Sequence, residues 1–434
     1  MDYHLKPGHA LQGKISVPAD KSISHRALMF AAIATGTSDI SGLLESEDCL
    51  ATASALQALG VSVERISAGQ WRVVGKGPTA LRTPTHALDL GNAGTAMRLL
   101  TGLLAGCNIN AVLTGDASLC QRPMQRIITP LEKMGAHINA TAKGYAPLHL
   151  HTHQGLQAIE YVLPVASAQL KSCLLLAGLN AKGTTTIHEP LATRDHSERL
   201  LSQMGAILQR EEKIIHLTPS LLQATRITVP ADISSAAFFM VGASIAPGSS
   251  ILLHQVGANP TRTGIIDLLR QMGANITLHH HASYGDEPIA DIMVKYAPLH
   301  GIDIFPADIP RVIDELPVLL IAAACATGPT RVFGAHELTT KESNRLVAIQ
   351  KGLQALGIKA RVENDNITVI PQTLQGGTID SFGDHRIAMA FSMAALCAQD
   401  AITIRNCQPV ATSFPAFAAC AAKAGLAINE VLYP

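Results

Sequence analysis

The sequence predicts an α/β protein in two lobes of three units each, with apolar helices packed inside and sheets outside. Two repeats and a run of Ala-rich segments predict it. The pattern VPAD-x-S occurs twice, as ISVPADKS from Ile15 and as ITVPADIS from Ile227. Each copy is a β-branched run, a Pro, and an Asp able to cap a following helix. The chain thus reads as two related halves that open on the same strand-to-helix corner. Only the first copy carries Lys21, with His25 and Arg26 close behind; the second has Ile233 and then the apolar run Ala236 to Phe239. Charge kept in one half points to a site in the cleft between halves.

Six segments end a helix in the same way: LQALGVSV, LEKMGAHI, LSQMGAIL, LRQMGANI, LQALGIKA and the degenerate AAKAGLAI. Their glycines, Gly60, Gly135, Gly205, Gly273, Gly357 and Gly425, recur about every 70 to 80 residues, three per half. Gly suits the left-handed turn just past a helix, where a Cβ is penalised. The alternation that follows (Val61 and Val63, Ala136 and Ile138, Ala274 and Ile276) reads as a strand. Each unit also holds an earlier helix of small and apolar residues: Arg26 to Ala34, Thr95 to Ala105, Ala168 to Ala177, Ser235 to Ala246, Leu316 to Ala326 and Arg386 to Ala398. Helices apolar on most faces are buried ones. The result is about twelve helices in six βαβαββ-like units. The expected lobes are residues 14–227, and 1–13 plus 228–434.

Composition narrows the function. The chain has 434 residues, zero formal net charge, 47% hydrophobic and 4% aromatic residues, so its core is Ala, Leu, Ile and Val. No global field recruits nucleic acid or an acidic membrane; any anion has to be held by local clusters. Eight scattered cysteines without a C-x-x-C pair suit free thiols in a reducing cytosol. The N-terminal residues lack an apolar signal core, and no apolar stretch reaches membrane-spanning length.

Basic and polar residues gather where the apolar helices begin: Lys21, Ser22 and Arg26; Asn92, Gly94, Thr95 and Arg98; Arg122; Ser167, Gln169 and Lys171; Arg194, His196 and Glu198; Lys341 and Arg345; His385 and Arg386. Helix N-termini offer unpaired N–H groups and partial positive charge. Arg adds a planar fork matched to carboxylate or phosphate. Any one of these is an ordinary solvated helix end; together, among apolar neighbours, they point to small polyanionic ligands. The loop LGNAGTAMR (Leu90 to Arg98) permits close backbone approach or is simply a tight turn. It is neither a Walker loop nor a dinucleotide fingerprint. Two acids stand in the basic set, Asp314 in IDELP and Glu342 in KESNRL. Each suits proton exchange with a substrate, and each equally suits a helix cap or first-turn partner. His149, His151 and His153 alternate along one strand face, and His279 to His281 form a run; neither has partners spaced for a tetrahedral metal site. Cys120, near Arg122, reads as a bystander thiol.

Taken in order, PADKSISHRALMFAA, LGNAGTAMR, QRPM, SAQLKS, TRDHSE, NPTR, IDELP, KESNRL and FGDHRIAMAF resemble the 5-enolpyruvylshikimate-3-phosphate (EPSP) synthase family, from about Leu11 to Phe417. The resemblance implies the two-lobe enolpyruvyl transferase fold, an inside-out α/β barrel. It also implies transfer of the enolpyruvyl group of phosphoenolpyruvate to the 5-hydroxyl of 3-phosphoshikimate, on the shikimate route to aromatic amino acids. No metal or organic cofactor is implied, and the expected protein is a cytoplasmic monomer. By motif, Lys21, Ser22, Arg26, Ser167, Ala168, Gln169, Arg194, Asp314 and Lys341 would hold 3-phosphoshikimate. Lys21, Asn92, Gly94, Arg122, Gln169, Arg345 and Arg386 would hold phosphoenolpyruvate. Asp314 would accept the 5-hydroxyl proton, and Glu342 or Lys21 would protonate the methylene carbon. Lobe closure about chain crossings near Gly13 and Thr225 would bring the substrates together.

The resemblance is closest to a subgroup often insensitive to glyphosate, but with departures. Ala19 replaces a typical Gly, and Gly94 lies where an insensitive member can carry Ala. Leu99 replaces the Pro of the sensitive form, and Thr412 replaces its phosphoenolpyruvate-binding Lys. The expectation is that Gly94 leaves room for glyphosate. Two rival readings stand beside this one. The related UDP-N-acetylglucosamine enolpyruvyl transferases place a Cys five residues before the loop Arg, whereas Cys120 is two before Arg122. A non-catalytic anion-binding protein on the same scaffold would not need Asp314 and Glu342.

Overall fold

The structure, a computed structural model, describes residues 1–280 and 283–432. The described residues form six four-stranded sheets, and all six share one topology. In sheet order, the first strand pairs parallel with the second, and the remaining two pair antiparallel, as in Leu88–Asp89, Ala111–Thr114, Leu148–His151 and His137–Asn139. A parallel pair needs a crossover, and a helix supplies it; the antiparallel pair needs only a hairpin. That is the βαβαββ unit, six times. Twelve helices of eight residues or more and one four-residue helix, Ile309–Val312, occur among the described residues.

All six repeat glycines are left-handed, with φ between +82° at Gly357 and +116° at Gly425. Asp20 and Asp232 both cap as expected, accepting from the N–H of Ile23 (2.9 Å) and Ser234 (2.8 Å). The small-residue helices run Lys21–Ile33, Gly94–Gly106, Ala168–Gly178, Ile233–Ile245, Leu316–Ala324 and His385–Ala394. They are buried on nearly every residue, which is why Ala and Gly fill them. At Gly102 the packing is tight enough that a Cβ would strike the Cys173 carbonyl.

The chain divides into two compact units. One comprises residues 19–229 and 283–287; the other comprises 1–18 and the remaining described residues of the second half. Each has its own core and three sheets. In the first unit the Lys21, Gly94 and Ala168 helices pack together; in the second, the Ile233, Leu316 and His385 helices do. An aromatic cluster of Tyr3, Phe238, Phe239, Phe414 and Phe417, with ring centroids 5.6 to 6.3 Å apart, sits in the core of the second.

The chain changes unit at Pro18/Ala19 and again at Val229/Pro230 rather than near Gly13 and Thr225. Hydrogen bonding explains the difference. Gln12–Ile15 joins the sheet of Ser250–Gly257, whereas Ile227–Thr228 joins that of Thr35–Ser41. Both copies of the duplicated corner are therefore split, the strand in one unit and the helix in the other. Residues 14–18 and 228–229 accordingly fall in the opposite unit to the one expected, and residues 283–287 do so as a separate segment.

Candidate active site

In the 19–229 unit, Asp20 caps the Lys21 helix and so fixes where its first turn points. The Lys21 ammonium lies 2.8 Å from Asp48 Oδ2, at the start of the helix Glu47–Ala58. One turn on, Arg26 is 3% exposed. It donates from Nε to Ser197 Oγ (2.7 Å), from Nη2 to Ser172 Oγ (2.8 Å) and from Nη1 to the Ser22 carbonyl (2.9 Å). Burial pushes this guanidinium down to about 10, against the opposing pull of Glu198 and Asp20. Arg194 is close enough to lower it further by like-charge repulsion. A buried guanidinium held only by neutral hydroxyls and a carbonyl is chemically suited to meet an anion.

Ser167 caps the Ala168 helix through the N–H of Leu170 (3.3 Å), which leaves Ala168 and Gln169 in its first turn. Gln169 bridges to the Gly94 helix, accepting from Arg98 Nη1 (2.5 Å) and donating to Thr95 Oγ1 (3.0 Å). Arg122, 6% exposed, is clasped by the Asn92 side chain, the Asn92 carbonyl (3.2 Å) and Ser118 Oγ (3.3 Å). Asn92 in turn donates to Asp116 (2.7 Å). Gly94 lies beneath both arginines: a Cβ there would sit 3.0 Å from Arg122 Nη1 and 3.2 Å from Arg98 Nη1. In the same unit Lys171, wholly buried, forms ion pairs with Glu198 (2.6 Å) and Glu189 (3.1 Å).

The other unit gathers the acids. Asp314 Oδ1 lies 3.4 Å from both Lys341 Nζ and Arg345 Nη1, and its Oδ2 lies 3.7 Å from Arg386 Nη2. Arg386 also donates to the Asp314 carbonyl (3.0 Å). Arg345, 1% exposed, bonds Glu342 (2.5 Å) and Asp384 (2.8 Å). Burial alone would push this guanidinium down, but Asp384 and Glu342 more than reverse that and hold it above its ordinary value. Asp384 caps the His385 helix through the Arg386 N–H (2.9 Å) and so orients Arg386 as well.

Lys21, Ser22, Arg26, Asn92, Gly94, Arg122, Ser167, Ala168, Gln169 and Arg194 thus all belong to one unit. Asp314, Lys341, Glu342, Arg345 and Arg386 form one connected network in the other. The sequence reading had no role for Asp48, Ser172, Ser197 or Asp384. Ser172, Ser197 and Asp384 lie inside SAQLKS, TRDHSE and FGDHRIAMAF; Asp48 lies in none of these motifs. Thr412 donates to the Pro409 carbonyl (2.7 Å) within a 3-10 turn.

The strand bearing the alternating histidines ends at His151, and His153 turns to the Ala105 carbonyl (2.9 Å) instead of sharing its face. Cys120 Sγ lies 3.3 Å from the Gly115 carbonyl. His279 and His280 are exposed strand residues, while His281 lies outside the described residues. Among the described residues no group of three or more His, Cys, Asp or Glu is arranged to hold a metal ion, all eight cysteines are free thiols, and no helix is long and apolar enough to cross a membrane.

Residues 5–419 match the family model for EPSP synthase (3-phosphoshikimate 1-carboxyvinyltransferase). The chain is 52% identical to the 3-phosphoshikimate 1-carboxyvinyltransferase of Methylococcus capsulatus, over 98% of this chain and 97% of that one. It is also 52% identical to the protein of the same name from Nitrosococcus oceani, over 99% and 97%. Its backbone is similar to that of EPSP synthase from Acinetobacter baumannii, with a TM-score of 0.88, 47% identity and 99% of each chain covered. The enolpyruvyl transferase NikO from Streptomyces tendae, at 18% identity and a TM-score of 0.81, shares the fold.

Proposed function

The chain belongs to the EPSP synthase (3-phosphoshikimate 1-carboxyvinyltransferase) family, and on that premise we propose how its two sets of side chains divide the labour of the transfer. The reaction moves the enolpyruvyl group of phosphoenolpyruvate to the 5-hydroxyl of 3-phosphoshikimate and releases phosphate, in the shikimate pathway to aromatic amino acids. The UDP-N-acetylglucosamine acceptor is not favoured, since the relatives that match nearly the whole chain carry the shikimate name.

Arg26, Arg194, Lys21, Ser22, Ser167, Ala168 and Gln169 grip 3-phosphoshikimate. Arg26 supports this reading most directly, because its guanidinium is buried on two serine hydroxyls and suits a phosphate. Asn92, Gly94, Arg122, Arg345 and Arg386 hold phosphoenolpyruvate, with Lys21 and Gln169 reaching both ligands. Lys341 orients the acceptor ring.

Chemistry centres on Asp314. The acceptor's 5-hydroxyl gives its proton to Asp314 as the oxygen adds to C2 of phosphoenolpyruvate. Glu342 or Lys21 protonates the methylene carbon, giving a tetrahedral intermediate. Elimination then returns a methyl proton to the group that supplied it, breaks the C2–O bond to the phosphate, and expels phosphate, which carries off the proton held by Asp314. Fixed cations stabilise the charge that accumulates on the two phosphates and two carboxylates. The single observation behind the base assignment is the Asp314 carboxylate set among Lys341, Arg345 and Arg386.

The proposal requires both sets to reach the same pair of substrates, and it includes closure on binding. Scattering profiles identical with and without both ligands would remove that last element. It further takes the protein to be a cytoplasmic monomer whose eight free thiols suit a reducing compartment. The test is phosphate release. It should need both substrates together, and Asp314→Asn should lower kcat by about 100-fold or more while 3-phosphoshikimate still binds. Full turnover by that variant would end the assignment.

A further inference from the structure

Residues 283–287 come from the second half of the sequence, yet they fold as part of the 19–229 unit. They bring Glu287, 8% exposed, to 2.6 Å from Nδ1 of His196, itself 3% exposed. The neighbouring Asp286 carbonyl accepts from Arg199 Nη1 (2.6 Å), and Arg199 also holds Asp195 (2.9 Å). The first turn of the helix His196–Gln203 is therefore pinned from a segment some 90 residues away. That turn matters because of what flanks it. Arg194 lies two residues before His196, and Ser197, the next residue, holds Arg26 Nε at 2.7 Å. Glu287 also lies within electrostatic reach of Arg26 and strengthens its hold on its proton.

We infer that Glu287 is a positioning residue for the acceptor: through His196 it fixes the helix turn that sets Arg194 and the Ser197 hydroxyl on which Arg26 rests. This rests on the reading of Arg26 and Arg194 as 3-phosphoshikimate ligands. The inference predicts selectivity between substrates. Arg122 and Asn92, assigned to phosphoenolpyruvate, are fixed by Ser118 and Asp116 instead. Loss of Glu287 should therefore weaken one substrate and spare the other.

The experiment is steady-state phosphate release on the full chain, varying each substrate at saturation of the other. Glu287→Gln should raise KM for 3-phosphoshikimate about five- to tenfold, as expected for a residue acting through a neighbour, and leave KM for phosphoenolpyruvate and kcat within about twofold. Adding His196→Asn to Glu287→Gln should add less than about twofold more, because the two act in series. Both KM values rising together, a fall in thermal stability with neither KM moved, or no change at all would each overturn the inference. Arg194→Ala separates it from the ligand assignment. If that variant leaves KM for 3-phosphoshikimate unchanged, the assignment fails and the inference falls with it; if that KM rises while Glu287→Gln has no effect, the inference alone fails. Should Glu287→Gln not fold, Glu287→Asp, which keeps the charge but withdraws it by a methylene, carries the same prediction and the same refutations.

Discussion

Gly94→Ala is a one-methyl perturbation whose effect can be worked from distances. The added Cβ would stand 3.0 Å from Arg122 Nη1 and 3.2 Å from Arg98 Nη1. Ordinary contact begins near 3.4 Å, so Arg122 has to retreat by about 0.4 Å. Its bonds to the Asn92 carbonyl and Ser118 Oγ are already 3.2 and 3.3 Å long. A retreat of that size takes them to the limit of hydrogen bonding. Weakening, without losing, a hydrogen bond to a charged group is worth about 1 kcal/mol, which is roughly fivefold in affinity. The backbone does not resist, since Gly94 is not left-handed and opens a helix, where Ala is if anything preferred. Gly94→Ala should therefore raise KM for phosphoenolpyruvate about fivefold, leave KM for 3-phosphoshikimate unchanged, and not lower the thermal midpoint. Phosphate-release kinetics and a melting curve measure all three. An unchanged phosphoenolpyruvate KM, or a rise confined to 3-phosphoshikimate, would refute the placement of Arg122 at the donor.

The same substitution should weaken inhibition by glyphosate, and an unchanged inhibition constant would show that Gly94 does not border the inhibitor. His25 should make folding acid-sensitive. Burial first, then the charges of Lys21 and Arg26, push its imidazole down to about 3 from 6.5. Its neutral form is the folded one, so the unfolded chain binds the extra proton between those values, and stability falls as pH drops from about 6.5 toward 3. Denaturant midpoints across that window should slope less in His25→Asn, and parallel slopes would reject the reading. Lys171→Met should destabilise the chain by about 3–5 kcal/mol, because Glu189 and Glu198 are left buried without their cation. A denaturation midpoint within error of the parent would mean that Arg210, 3.7 to 3.8 Å from both acids, already suffices.

The repeat was legible because it is written in local chemistry. A glycine past each helix and an alternating strand after it need no knowledge of tertiary contacts, and all six held. The first-turn cations were legible for the same reason, since a helix start is announced by its cap. Partners distant in sequence were not. Nothing near Lys21 names Asp48, nothing near Arg26 names Ser172 or Ser197, and Glu287 meets His196 only because residues 283–287 fold with the other half. The split corners were hidden for a related reason. ISVP and ITVP spell a strand equally well whichever sheet accepts it, and the choice lies in hydrogen bonds to Ser250–Gly257 and Thr35–Ser41. His153 was misread because alternation in the sequence does not say where a strand stops.

The strand Asp2–Leu5 lies between Ile402–Arg405 and Ile428–Val431 in a single sheet. At ribosomal speeds of about 5–20 residues per second, this strand therefore waits roughly 20 to 90 seconds for its neighbours. Until then its edge is open to mispairing, and a chaperone able to shield it would raise the yield of native chains. The same adjacency suits circular permutation: Asp2 pairs directly with Val431, so a short peptide joining those two strands, with a break placed in a surface hairpin, would let that sheet assemble from contiguous sequence.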